Sequence, residues 1–269
     1  MSHVVLRISA GFLVGALVLL VTALSLSEYY LDEGRRLSAA GDTEGAIDAS
    51  RKAARLDPFD AEPLETQSFL FEQQEHYENA ASALRAAIAR DPHNYVPYLM
   101  LGNLQFNEFD DPEAAEESYR EVLRLNPKEN TIRDGLAQVL IEQGKLGEAR
   151  DEYEKLREEE ELSFQGLYDL GRIYVRTGKP EEGQQAIEHA KSRAESRLDE
   201  LEGPLKEQRE QLIVSMQLAI ADALVVQGRY AKAREIIAQS SSPQAPALLQ
   251  LLNSNPDAYR ESVVTSEIY

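Results

Sequence analysis

In this chain of 269 residues, 47 acidic side chains outnumber 28 basic ones, and a formal net charge of −19 repels phosphate backbones and argues against nucleic acid as a partner. Without cysteine, thiolate zinc sites, disulfides and thiol catalysis are excluded; the compartment stays open, because such a chain suits oxidising and reducing environments alike.

Residues 1–7 form a short N-terminal tail ending at Arg7. The nineteen residues from Ile8 to Leu26, ISAGFLVGALVLLVTALSL, carry no charge. As a helix they span about 28 Å at 1.5 Å per residue, enough for a bilayer core. The stretch predicts a single transmembrane helix over 8–26. A cleaved signal peptide is the alternative, with Ser25-Leu26-Ser27 near a cleavage point. The apolar run, however, exceeds the roughly 7 to 15 residues of a signal core. Arg7 abuts the run while Arg35 and Arg36 come later, which favours a cytoplasmic N-terminus with the rest of the chain outside the cytoplasm. Gly11 and Gly15 form a GxxxG spacing that allows two such helices to pack as a homodimer.

Beyond Leu26 the chain repeats. Ala46, Ala53 and Pro58 return 34 residues later as Ala80, Ala87 and Pro92, and a third copy, one residue late, has Ala115 and Pro127 with Tyr119 between them. The first copy, 27–60, holds Tyr30, Gly34, Leu37 and the turn glycine Gly41. A second, 61–94, keeps Leu64, Phe71 and Leu84 but has Ser68 and Glu75 where glycines stand in the first. A third, 95–129, holds Tyr98, Leu101 and Gly102, its extra residue falling at the polar turn Asp110-Asp111-Pro112. The fourth retains Leu136, Leu140, Gly144, Ala149 and Tyr153 but runs into Glu158–Glu161 without a proline. The fifth shows Leu170, Gly171, Tyr174, Gly178, Gly183 and Ala190. Gly228 then follows Gly178 by 50 residues, so sixteen have been inserted around Gly203-Pro204 before a sixth copy with Ile220, Leu224, Ala233 and Ile237.

This period, with small residues at fixed offsets and a proline closing each of the first three copies, resembles the tetratricopeptide repeat, a helix-turn-helix unit stacked into a solenoid. The resemblance implies an all-α, right-handed α-solenoid of about six units, preceded here by the transmembrane helix. The solenoid spans 27–252, with a lengthened helical hairpin near 192–213 and a terminal capping helix over Ala245–Leu252; 253–269 is left as a C-terminal tail. The insertion is expected to lengthen the two flanking helices by about two turns each.

No chemistry stands out. His3, His76, His93 and His189 are scattered, and GxSxG, P-loop and dinucleotide motifs are missing. Glu158–Glu161 is a solvated helix end, since a helical run of like charge splays its side chains. No enzyme, metal or cofactor is therefore expected. The resemblance implies instead that a concave groove, lined by positions 2, 5, 9 and 12 of each first helix, binds a protein or peptide. In the second copy these are Glu62, Glu65, Phe69 and Glu72; in the third Val96, Leu99, Asn103 and Phe106; in the fourth Thr131, Asp134, Gln138 and Ile141; in the fifth Gln165, Tyr168, Arg172 and Val175. Relatives that clamp a terminal carboxylate carry lysines and asparagines there; only Asn103 and Arg172 correspond, so a clamp is not implied. An apolar strip with acidic flanks suits a segment with hydrophobic anchors and basic residues. The layout is similar to bacterial anchored repeat proteins that accompany secretion or cytochrome maturation, which implies a non-enzymatic membrane-anchored scaffold in an envelope assembly. A cytosol-facing receptor for basic amphipathic targeting segments is the alternative.

Overall fold

A computed structural model describes residues 2–196 and 198–268, with 2–12 described for the backbone alone. Among the described residues there are helices and no strands, and the chain divides into two compact units after Pro127. The first holds α1 (Ser2–Ala39), α2 (Thr43–Leu56), α3 (Glu62–Glu72), α4 (Tyr77–Arg90), α5 (Val96–Asn107) and α6 (Pro112–Leu125). The second holds α7 (Asn130–Glu142), α8 (Leu146–Glu158), α9 (Phe164–Arg176), α10 (Pro180–Glu195), α11 (Gly203–Val226), α12 (Tyr230–Gln239), α13 (Ala245–Ser254) and α14 (Pro256–Thr265). Within each unit successive helices pair as hairpins, three in each, and neighbouring hairpins stack. The all-α repeat architecture is thus as the period implies.

Small residues set the packing distance inside each hairpin. Ala46, Ala80, Ala115, Ala149 and Ala233 occupy the same register on the second helices and are completely buried. Gly102 faces α6, and a Cβ added to it would lie 2.6 Å from the Tyr119 ring. The tightest pair joins α9 to α10: a Cβ on Gly183 would meet the Gly171 carbonyl oxygen at 2.6 Å, so backbone touches backbone. Around these contacts Leu70, Leu84, Tyr153, Leu170, Ile187 and Leu224 are fully buried and fill the core. Arginines close the corners between hairpins. Arg90 donates to the carbonyls of Ala54, Asp57 and Asp60, and Arg193 to that of Leu162, satisfying groups left unpaired where helices end.

Turn chemistry follows the repeat even where glycine is missing. Gly41, Gly144, Gly178 and Gly228 adopt left-handed φ between the two helices of a hairpin. Glu75, at φ 59°, takes that conformation in the second copy, and Asp110, at φ 51°, in the third. The extra residue of the third copy widens this turn: the Asp111 amide reaches back to Gln105, whereas the equivalent His76 amide reaches Phe71. Asp111 then caps α6, its carboxylate accepting from the Ala114 amide at 3.0 Å.

Helix α1 runs unbroken from the apolar stretch into the first hairpin. From Leu13 its apolar side chains are exposed; burial begins at Ser27, whose hydroxyl donates to the Ala53 carbonyl at 3.0 Å, and continues at Leu31. No linker separates the two parts. The described portion is long and apolar enough to cross a membrane by length and composition, a test that a signal sequence also passes.

Two expectations need correction in the second unit. The insertion does not lengthen both flanking helices equally: α10 has 16 residues, close to the 13 of α8, whereas α11 has 24 and is about 36 Å long. Gly203 at φ 58° and Pro204 in the first turn fix the start of α11, and a 3-10 turn at Leu198–Glu200 precedes it. The extension is tied down where Arg209 stacks 4.3 Å over the Phe164 ring. Second, 253–269 is not a tail. α13 forms where the capping helix was expected, but Asn255 caps a further helix, α14, which packs on α11 and α9 and buries Tyr259 and Val263.

Candidate functional site

In the first unit the expected groove residues lie along the first helices of two hairpins. Spacings of three and four place Glu62, Glu65, Phe69 and Glu72 along one side of α3. Phe69 is 51% exposed, unusual for an aromatic side chain on a packed helix. Glu62 pairs with Arg35; Glu65 accepts from the Asn94 amide at 2.7 Å and Glu72 from the Ser68 hydroxyl at 3.1 Å. Burial, more than their acidic neighbours, raises both Glu65 and Glu72 above the ordinary carboxylate value. On α5, Leu99 and Phe106 are half-buried, and the exposed Asn103 accepts the Tyr119 hydroxyl at 2.8 Å.

The second unit encloses a cavity of about 630 Å³ beside α9. Tyr168, Arg172 and Val175, three of the four groove positions of the fifth copy, line it with Arg176 from the same helix. Leu218, Ala219 and Asp222 of α11 form the facing wall with Glu207 and Glu210, and the loop Ser241–Gln244 closes one end. Arg172 lies 5.1 Å over the Tyr168 ring and 3.5 Å from Asp169, so its guanidinium is held in place. Gln138 of α7 is not among the cavity-lining residues; its amide donates to Asp134 at 2.8 Å.

The C-terminal segment contacts two of the residues that line this cavity, Asp222 and Arg176. The Tyr259 hydroxyl donates to Asp222 at 2.8 Å. Arg176 donates to the carbonyls of Ser266 and Glu267 at 3.0 and 3.3 Å and to the Ser266 hydroxyl at 3.2 Å. Ile268 is buried beyond them. Burial raises Asp222 above the ordinary value, while Tyr259, Arg176 and Arg172 pull it back; burial likewise lowers Arg176 and raises Tyr259.

A sequence profile described as tetratricopeptide repeat matches residues 69–130, 99–161 and 135–195. Residues 69–195 are tetratricopeptide repeats. Solved structures agree on the fold. The crystal structure of MamA protein is 22% identical over 66% of this chain and 97% of its own, with a TM-score of 0.57. YrrB, described as a TPR protein with an unusual peptide-binding site, is 21% identical over 60% of this chain and 82% of its own, at 0.53. PilF of Pseudomonas aeruginosa is 17% identical over 90% of this chain and 97% of its own, at 0.55. At these identities the likeness is one of fold.

The repeat register locates Tyr168, Arg172 and Val175 at the cavity, but it misses Arg176, Asp222 and α14. Arg176 follows the last groove position of α9, and Asp222 lies in the sixth repeat, whose register the insertion obscures. Asn255-Pro256, a cap followed by a first-turn proline, is the sequence signal that marks α14. Gly15 has open space around it on α1, while the surroundings of Gly11 lie outside the described residues.

Proposed function

We propose that this tetratricopeptide-repeat protein is a non-enzymatic adaptor, anchored in a membrane by residues 8–26, that holds a protein segment against the first helices of its repeats. The observation that carries the reading is the cavity beside α9, bordered by Tyr168 and Arg172 at the register positions where the family's groove is expected. The exposed Phe69 supports a second contact in the other unit. YrrB is described as having a peptide-binding site, which accords with a peptide-holding role here. The anchor rests on the apolar, outward-facing part of α1 and on its unbroken passage into the first hairpin. That continuity holds any partner of the first unit close to the bilayer. The recruited protein is then one that acts in or beside the membrane, in assembly or stabilisation of an envelope complex.

Cross-linking and affinity capture from native membranes tests the adaptor. A specific protein is recovered with the wild-type chain and lost with Phe69→Ala plus Phe106→Ala, or with Arg172→Ala. Equal recovery from all three refutes the groove. Protease protection in intact cells tests the side: α2 to α14 are digested from outside if the N-terminus is cytoplasmic and survive if it is not. Gly15→Leu abolishes self-association of the membrane helix if the GxxxG spacing is a dimer contact.

A further inference from the structure

We infer that the face of α9 and α11 is a peptide-docking groove whose resident occupant is the chain's own segment 256–268, and that a partner segment of the same pattern displaces it. This deepens the adaptor reading and rests on it.

The segment is bound as a ligand would be. It presents one phenol, Tyr259, to Asp222, and buries one aliphatic side chain a turn later, Val263. It then leaves the helix, Ser266 being extended at ψ 147°, and runs past Arg176. The guanidinium takes two main-chain carbonyls there. Carbonyls belong to every peptide, so Arg176 selects an extended backbone rather than a sequence, and Tyr259, Val263 and Ile268 supply the side-chain specificity.

Open space adjoins the seat. Arg176 and Asp222 touch the segment and also line the cavity of about 630 Å³, whose other lining residues include Glu207, Glu210 and Gln244 and none of 256–268. Along α14 itself, Arg260, Glu261, Ser262, Val264 and Thr265 remain exposed, so few side chains hold the segment down. The displacing partner is therefore a protein segment with an aromatic hydroxyl, an aliphatic residue four positions on and an extended tail. Basic side chains on that segment meet Glu207 and Glu210, which line the cavity adjoining Arg176 and Asp222.

Fluorescence anisotropy tests this on the full chain in detergent, using a labelled synthetic peptide of residues 254–268 as the probe. Tyr259→Phe in the chain removes the hydroxyl held by Asp222 and frees the groove, so the peptide binds about tenfold more tightly than to wild type. Adding Arg176→Ala lowers that affinity about tenfold again. Val263→Ala is a second way to free the segment, with circular dichroism confirming that each variant is folded. Hydrogen exchange of the chain's own residues 256–265 quickens as the peptide is added, while α12 stays protected. If the peptide fails to bind either freed variant at about 1 mM, or binds them without regard to Arg176, the inference is overturned. Capture from membranes through Phe69 and Phe106 is measured separately: failure of the peptide with capture intact sinks only this inference, whereas loss of capture specificity sinks the adaptor.

Discussion

Gly102→Ala measures what the small positions of the repeat are worth. A Cβ at Gly102 would lie 2.6 and 2.7 Å from two carbons of the Tyr119 ring and 3.2 Å from the Ser118 Cβ. Carbon atoms pack best at about 3.5–4.0 Å, so the ring must give by nearly an ångström. It has little room to do so: Tyr119 is 3% exposed and its hydroxyl is fixed on Asn103. Overpacking of this kind costs about 1–3 kcal/mol. Alanine returns about 0.8–1 kcal/mol as the better helix former, leaving a net loss of about 1 kcal/mol. Gly147→Ala on α8 is the matched control, because a Cβ there meets nothing within 4 Å. That variant gains up to about 0.8 kcal/mol, so the two substitutions, chemically identical, differ by nearly 2 kcal/mol in opposite directions. Two compact units need not unfold together, so native-state hydrogen exchange, read on the amides of α5 and α6 for one variant and α7 and α8 for the other, is the suitable assay. Equal stabilisation by both variants would refute the reasoning.

Glu75→Gly and Glu160→Gly, at φ 59° and 60°, relieve left-handed backbone and each raise stability by about 0.5–1 kcal/mol in urea denaturation. Asp111→Ala removes the cap of α6 and costs about 1 kcal/mol by the same measurement. Asp222, raised above its ordinary value of 3.8, takes up its proton more readily in the folded chain; its favourable contribution is full below that value and is lost as pH rises through the folded one. Asp222→Asn, neutral and still able to accept from Tyr259, is therefore more stable than wild type at pH 7, and the gap closes below about pH 4 in paired denaturation curves.

The repeat was legible because its signals are local and recur. Ala46, Ala80 and Ala115 announce close helix approach by spacing alone, and their complete burial follows from it. The left-handed turn at Glu75 could be placed by register alone, 34 residues after Gly41, whereas the one at Glu160 was not legible, since no glycine marks it. Half of the second unit's site was legible. Tyr168 and Arg172 fall on the register, whereas Asp222 meets Tyr259 only because α11 and α14 come together across 37 residues of chain. Nor does composition tell how the insertion is divided: Gly203-Pro204 marks a helix start, and the residues gathered behind it all join α11.

An array of hairpins must cover the apolar face of its last member, and that need explains α13 but not α14. α13 packs on α12 and buries Ala245 and Leu252, as an end cap does. α14 packs on α13 and reaches beyond it to α11 and α9, the first helices of two successive repeats. Covering an exposed end requires apolar area; the segment contributes chiefly Tyr259, Val263 and Ile268, together with hydrogen bonds to the Asp222 carboxylate and the Arg176 guanidinium. Those are the elements of recognition, selective in one phenol and indifferent to sequence along the carbonyls. A segment placed there for stability alone would favour aliphatic residues over a phenol that must reach Asp222. Its placement is therefore better explained by occupancy of a binding groove than by the closure of the fold.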